Sequence, residues 1–199
     1  ASRAMPRLGG VAVLRAGRRG AGARAKEQLP VSRRSMTYRV FGQGSGSAAE
    51  LTCGSHIVRT DVPKSLGGRD TAAQPVELLI AALMGCETAT ATYVGRHMKP
   101  RLRLRRIAFE YSAERNDAGA QELPIEQKPQ HEARLTAIRG TAHVHLAAGA
   151  VETSDRIALL QELVEQRCPV ASTLRAGGCE MAIRWVLAPP SAADEGTPE

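Results

Sequence analysis

The segment from Pro75 to His97 constrains the fold more than any other. Val76, Leu79, Ile80 and Leu83 recur at helical spacing, and Ala81 and Ala82 fill the positions between them. Most of the circumference is therefore apolar. A helix of that kind is buried on nearly every side, which predicts a central helix with other elements wrapped around it. Pro75 suits the first helical turn, where its missing N–H is no loss. The helix runs to about His97 and stops before Pro100, because a residue preceding proline is pushed out of helical backbone. No apolar run reaches the roughly 20 residues of a membrane span. The run around Leu78 to Leu83 is interrupted at Gly85 and turns polar at Glu87 and Thr88. The chain reads as soluble, without a membrane span.

The flanking segments alternate at a period of two. Met36 to Phe41 predicts a strand, GQGSGS (Gly42 to Ser47) a turn, and Leu51 to Thr60 one or two more strands, together an antiparallel meander. Lys64 to Asp70 is a loop, too short and wrongly spaced to cradle a phosphate. Leu102 and Leu104, then Ile107, Phe109 and Tyr111, alternate with a slip at Arg105 and Arg106, which predicts a bulge. Residues 116 to 130 are polar and turn-rich, and His131 to Ala147 returns as a strand. Ser154 to Gln166 predicts an amphipathic helix capped by Ser154 or Asp155. Cys168-Pro169 breaks it and opens a short helix to about Ala176, ended by Gly177-Gly178, and Met181 to Leu187 is a last strand. This order predicts an α+β domain over residues 36–188, with helices packed on antiparallel sheet. Residues 1–35 form a basic extension and residues 189–199 a flexible tail.

Charge divides sharply along the chain. The formal net charge is +7, yet residues 1–35 carry eight Arg, one Lys and one Glu, and the remainder is close to neutral. Nucleic-acid binding requires basic residues on a face of the fold itself, and with aromatics at 3% there is little to stack on bases. The core is therefore not a nucleic-acid module. The extension is rich in Arg, Ala and Gly with no acidic residue before Glu27. That composition matches a mitochondrial transit peptide and predicts a mitochondrial location.

Cys53, Cys86, Cys168 and Cys179 show neither CxxC nor zinc-ligand spacing. Sparse, widely separated cysteines fit a reducing compartment with selected reactive thiols. Cys86 sits mid-helix. Cys168 stands at a helix start beside Arg167, where the helix N-terminus favours thiolate over thiol. Either cysteine can also be read as a small buried hydrophobe. His143 and His145 share a strand face at a spacing that could hold a metal, but no third ligand accompanies them. Neither a metal nor a cofactor is expected. Arg101 to Arg106 reads as a solvated strand face.

Two motifs resemble one family. GGRDTAAQPVELLIAALMGCETATA, from Gly67 to Ala91, is similar to the first cysteine motif of the OsmC and organic hydroperoxide resistance family, and RCPVASTL, from Arg167 to Leu174, is similar to the second. The similarity covers about Thr37 to Leu187. It implies antiparallel sheets wrapped around two central helices in an intertwined homodimer, with sites at the dimer interface. It also implies a peroxidase chemistry. The first cysteine, here Cys86, attacks a hydroperoxide and becomes a sulfenic acid, and the second, here Cys168, condenses with it to a disulfide. Dithiols, often lipoyl groups, then recycle the pair.

Two departures stand out. Family peroxidases carry a glutamate directly after the helix-opening proline, where this chain has Val76, with Glu77 one step on and rotated by about 100°. They also carry an arginine in the first strand-to-strand turn, which GQGSGS lacks. Arg39, Arg59 and Arg69 are candidate substitutes. The resemblance thus supports a thiol-dependent peroxidase, with a non-catalytic accessory subunit of a larger mitochondrial assembly as the alternative. Its partners would be a second copy or a similar chain, and the subunits of such an assembly.

Overall fold

The computed structural model describes residues 36–147 and 150–189. The chain falls into two units, residues 1–38 and 39–199, and all the described regular structure lies in the second. The basic extension predicted over residues 1–35 lies outside the described residues, as does nearly all of the C-terminal tail. The first sheet is the predicted antiparallel meander, made of β1 (Val40–Ser45), β2 (Ala48–Cys53) and β3 (His56–Thr60). Its boundaries differ from expectation. The strand begins at Val40, and most of GQGSGS is strand, with Gly42 to Ser45 paired to Leu51 to Ala48. Backbone ladder bonds need no side chain, so a glycine-rich strand is easily misread as a turn. Only Gly46 and Ser47 turn, with Gly46 at a φ of 62°.

Beyond β3, the buried Asp61 carboxylate collects the Ser47 and Thr71 hydroxyls and the amides of Val62, Arg69 and Thr71. These donors hold it well below the usual carboxylate range, the Ser47 hydroxyl most strongly. They also fasten the loop over residues 62–73 to the β1–β2 turn, and so fix where the following helix starts. That helix, α1 (Pro75–His97), opens with a capping box between Gln74 and Glu77.

The burial of α1 corrects the sequence reading. Its core face is one stripe, Leu83, Glu87, Ala91 and Val94 with Gly95. Leu79 is 41% and Tyr93 61% exposed. Only part of the apolar circumference is covered within a single chain. By length and composition α1 could also cross a membrane, with a mean hydropathy of 1.3, which the sequence reading did not anticipate. Its buried stripe packs on the second layer instead.

That layer comprises β4 (Leu104–Asn116), β5 (Arg134–Leu146), α2 (Ser154–Glu165), α3 (Pro169–Ala176) and β6 (Glu180–Leu187), with sheet order β4-β5-β6. β4 and β5 are antiparallel, with an irregularity between Leu104 and Arg106 where the apolar phase slips. β6 runs parallel to β5, so this sheet is mixed rather than antiparallel. Two helices intervene between β5 and β6, and such a crossover returns the chain in the same direction. Thr153, rather than Ser154 or Asp155, caps α2 through the Arg156 amide. Leu83, Ile138, Val144, Ile157, Leu160 and Val164 are fully buried between the helices and the sheet. The Gln161 side chain of α2 donates to the Ile183 carbonyl at 2.9 Å and accepts from the Trp185 amide at 2.9 Å, both on β6.

Candidate active site

Cys86, Ala89, Thr90 and Tyr93 follow helical spacing along one face of α1. With Arg167 and Pro169 they line an open pocket of about 430 Å³. Behind it, Cys168 is fully buried at the N-cap of α3 and accepts the Ala171 N–H on its Sγ at 3.5 Å. Pro169, the first helical residue, forces the chain to turn here and leaves the Cys168 side chain to cap the helix. The contact between α1 and α3 brings the two thiols close enough for Cys86 to act on Cys168. Both are free thiols. The structure therefore unites the two cysteines that the sequence singled out, one at a pocket and one in the core.

The electrostatics of Cys168 correct the expectation of a stabilised thiolate. Burial pushes its thiol up to about 11. The Ala171 amide at the helix start acts in the opposite direction and is outweighed, while Cys86 and Glu87 add to the rise. Helix-start stabilisation is a surface-scale effect, and removing a thiolate from water costs more. The Arg167 guanidinium, adjacent in sequence, is held by the Leu163 carbonyl at 3.0 Å.

Glu87 is the site residue that the sequence reading passed over. It follows Cys86 on α1, is 1% exposed, and accepts a 2.7 Å hydrogen bond from the Tyr111 hydroxyl on β4. Burial raises its carboxyl to about 7, against the pull of that hydroxyl; Glu165 adds to the rise and Arg175 opposes it. Tyr111 is itself raised, by burial and by Glu87. The buried Trp185 indole N–H lacks a partner at full hydrogen-bond geometry, but lies close enough to the Tyr111 hydroxyl to act on it. Gly140 lies opposite Tyr111 in the β4–β5 ladder, where any Cβ would collide with the Glu110 carbonyl and crowd the Tyr111 ring. The available signal was the charge pattern: Glu87 interrupts an otherwise apolar stripe at Leu83, Ala91 and Val94.

The proposed supporting residues lie elsewhere. Glu77 accepts the Gln74 amide in the capping box, nine residues and about 13 Å of helix ahead of Cys86. Arg59 pairs with Glu50 at 2.8 Å within the first sheet. Arg69 donates its amide to Asp61, and Arg39 is exposed. Within one chain none of them lines the Cys86 pocket, whose cation is Arg167. Cys179 is buried near β6 with its thiol raised by burial, and Cys53 ends β2. Half-buried His143 and His145 alternate with buried Ala142 and Val144 on β5.

Comparisons with known proteins converge on one family. The profile of the family described as OsmC-like protein matches residues 68–184. No curated protein matches the chain in sequence. Among solved structures, an OsmC-like protein from Mycoplasma pneumoniae aligns with a TM-score of 0.60 at 16% identity, over 77% of this chain and 99% of that one. An organic hydroperoxide resistance protein from Legionella pneumophila gives 0.56 at 15%, over 76% and 98%. One from Elizabethkingia anophelis, solved with thiocyanate bound, gives 0.56 at 18%, over 78% and 99%. At these identities the structural likeness shows the fold.

Proposed function

The chain belongs to the OsmC-like protein family, and from that premise we propose that it is a thiol-dependent peroxidase that reduces organic hydroperoxides through Cys86 and Cys168. The observation that carries this reading is the placement of Cys86 on an open, largely apolar pocket, backed by a second, buried thiol close enough to feel it. Cys86 as thiolate attacks the outer peroxide oxygen. An S–O bond forms, the O–O bond breaks, and the alcohol leaves with a proton. Cys168 then attacks the Cys86 sulfenic acid, forming the disulfide and releasing water. A dithiol of the lipoyl type restores both thiols. The raised Cys168 favours this order, because a thiol that ionises near 11 is a poor first nucleophile at neutral pH.

The working form in this reading is a dimer. Val40, Phe41, Ile57 and Leu79 are each more than 40% exposed in the single chain, and a second copy would cover the first sheet and the open face of α1. A mitochondrial location, drawn from the extension over residues 1–35, would place lipoyl dithiols within reach. One observation favours the accessory-subunit reading instead: none of Arg39, Arg59, Arg69 and Glu77 lines the Cys86 pocket of its own chain. Consumption of cumene hydroperoxide by the pure protein, with dihydrolipoamide as reductant, separates the two. Turnover that disappears in Cys86→Ser supports the peroxidase. No turnover with any dithiol, together with no Cys86–Cys168 disulfide, leaves the subunit reading.

A further inference from the structure

We infer that Glu87 is the internal base that accepts the Cys168 proton when Cys168 closes a disulfide onto Cys86. The inference rests on the proposed roles of the two cysteines, and it begins from a problem of proton disposal. Cys168 is fully buried, so its proton has no direct route to water, and its thiol ionises only near 11. Attack through sulfur requires that proton to move to a nearby group.

Among the described residues, the groups that face the crossing are few, and Arg167, on the pocket wall beside Cys86, is a cation held by the Leu163 carbonyl. From α1 come Cys86 and Glu87, from β4 Tyr111, from β6 Trp185, from α2 Glu165, and from α3 Arg175 and Cys168 itself. Arg175 is a cation and Trp185 a donor only. Tyr111 already donates to Glu87. Glu165 is held by the Gln161 amide at 2.7 Å and by Arg175 at 3.7 Å. Glu87 is left, one residue from Cys86, and its charge is felt at the Cys168 sulfur. Its carboxyl, raised to about 7, is divided between its two forms at neutral pH, the condition under which one group can both take and return a proton. The Tyr111 hydroxyl supports the carboxylate form.

The step balances. The Cys168 proton passes to the Glu87 carboxylate as the S–S bond forms and the Cys86 S–O bond breaks. The protonated Glu87 returns that proton to the departing hydroxide, which leaves as water. The same base serves any leaving group carried on Cys86.

The test uses such a group, so it does not depend on peroxidase activity. The full chain is treated with one equivalent of an aromatic disulfide that releases a coloured arylthiolate. The first release reports the opening of the reagent by Cys86, and the second reports displacement from Cys86 by Cys168, with peptide mass confirming the Cys86–Cys168 disulfide. In the wild type the second rate should rise with pH through about 7 and then level, as the carboxylate form fills. Glu87→Gln should slow the second release relative to the first by about 100-fold or more, the usual scale for losing a general base. It should also abolish the inflection near 7, and Glu87→Asp should restore it in part. A wild-type second rate that climbs tenfold per pH unit without an inflection would overturn the inference, whether or not Glu87→Gln folds. So would an unslowed second release in Glu87→Gln. Normal second-release behaviour in a protein that consumes no hydroperoxide would overturn the peroxidase reading alone.

Discussion

The Tyr111 hydroxyl on β4 and the Glu87 carboxylate on α1 are joined by a 2.7 Å hydrogen bond across 24 residues of sequence. It ties the cysteine-bearing helix to the sheet with polar groups inside an apolar core. Replacing both partners by apolar groups of similar shape could cost little stability, whereas removing one leaves the other unsatisfied. The pair is therefore better explained by its neighbours, the two thiols, than by packing.

The raised Glu87 carboxyl makes stability depend on pH. Its value is about 7 in the folded chain against 4.5 ordinarily, so folding takes up a proton between those values. Stability contributed by Glu87 is present below about 4.5, declines as pH rises through the window, and is flat above about 7. Glu87→Gln should remove the decline. In urea titrations the variant should gain on the wild type between pH 4 and pH 8 by roughly 2 kcal/mol, allowing for partial screening. A difference that does not change with pH would contradict the assignment.

Cys86 should be oxidised first. After limited hydroperoxide, Cys168→Ser should carry a dimedone-trappable sulfenic acid on Cys86 by mass spectrometry, while Cys86→Ser should leave Cys168 reduced. The opposite pattern would reverse the order given by the buried, raised Cys168.

Gly140→Ala should be severe for a one-carbon change. The added Cβ meets the Glu110 carbonyl and the Tyr111 ring, and overpacking of this kind costs on the order of 2 kcal/mol. Because Tyr111 carries the bond to Glu87, the variant should also shift the pH dependence above, which a destabilised strand remote from the site would not do.

The open face of α1 should be covered in solution. Light scattering should give about twice the chain mass, and Leu79→Glu, at a position 41% exposed in the single chain, should shift the protein towards monomer. A wild-type monomer, or a variant with unchanged mass, would leave that face without a second copy.

Much of this was legible in the sequence, for physical reasons that differ by element. The bounds of α1 followed from Pro75, Pro100 and an apolar period, and the irregularity after Leu104 from a phase slip. The two cysteines that α1 and α3 bring together came from motifs. What escaped was set by tertiary context. GQGSGS forms strand because its ladder uses backbone alone. Thr153 wins the α2 cap because its hydroxyl, rather than the Ser154 hydroxyl or the Asp155 carboxylate, is the one that meets the Arg156 amide. The Cys168 thiol follows burial rather than its helix start. Glu87 needed the sheet: its significance depends on a tyrosine that sequence spacing could not bring to it.

The Gln161 amide, set against Ile183 and Trp185, behaves as a surrogate strand one peptide long. It occupies an acceptor and a donor on β6, one of the two outer strands of its sheet, which would otherwise be open there to an extended segment of another molecule. Exposed strand edges invite such recruitment. A single side chain from a helix thus blocks that edge at the point where the sheet's only tryptophan is buried.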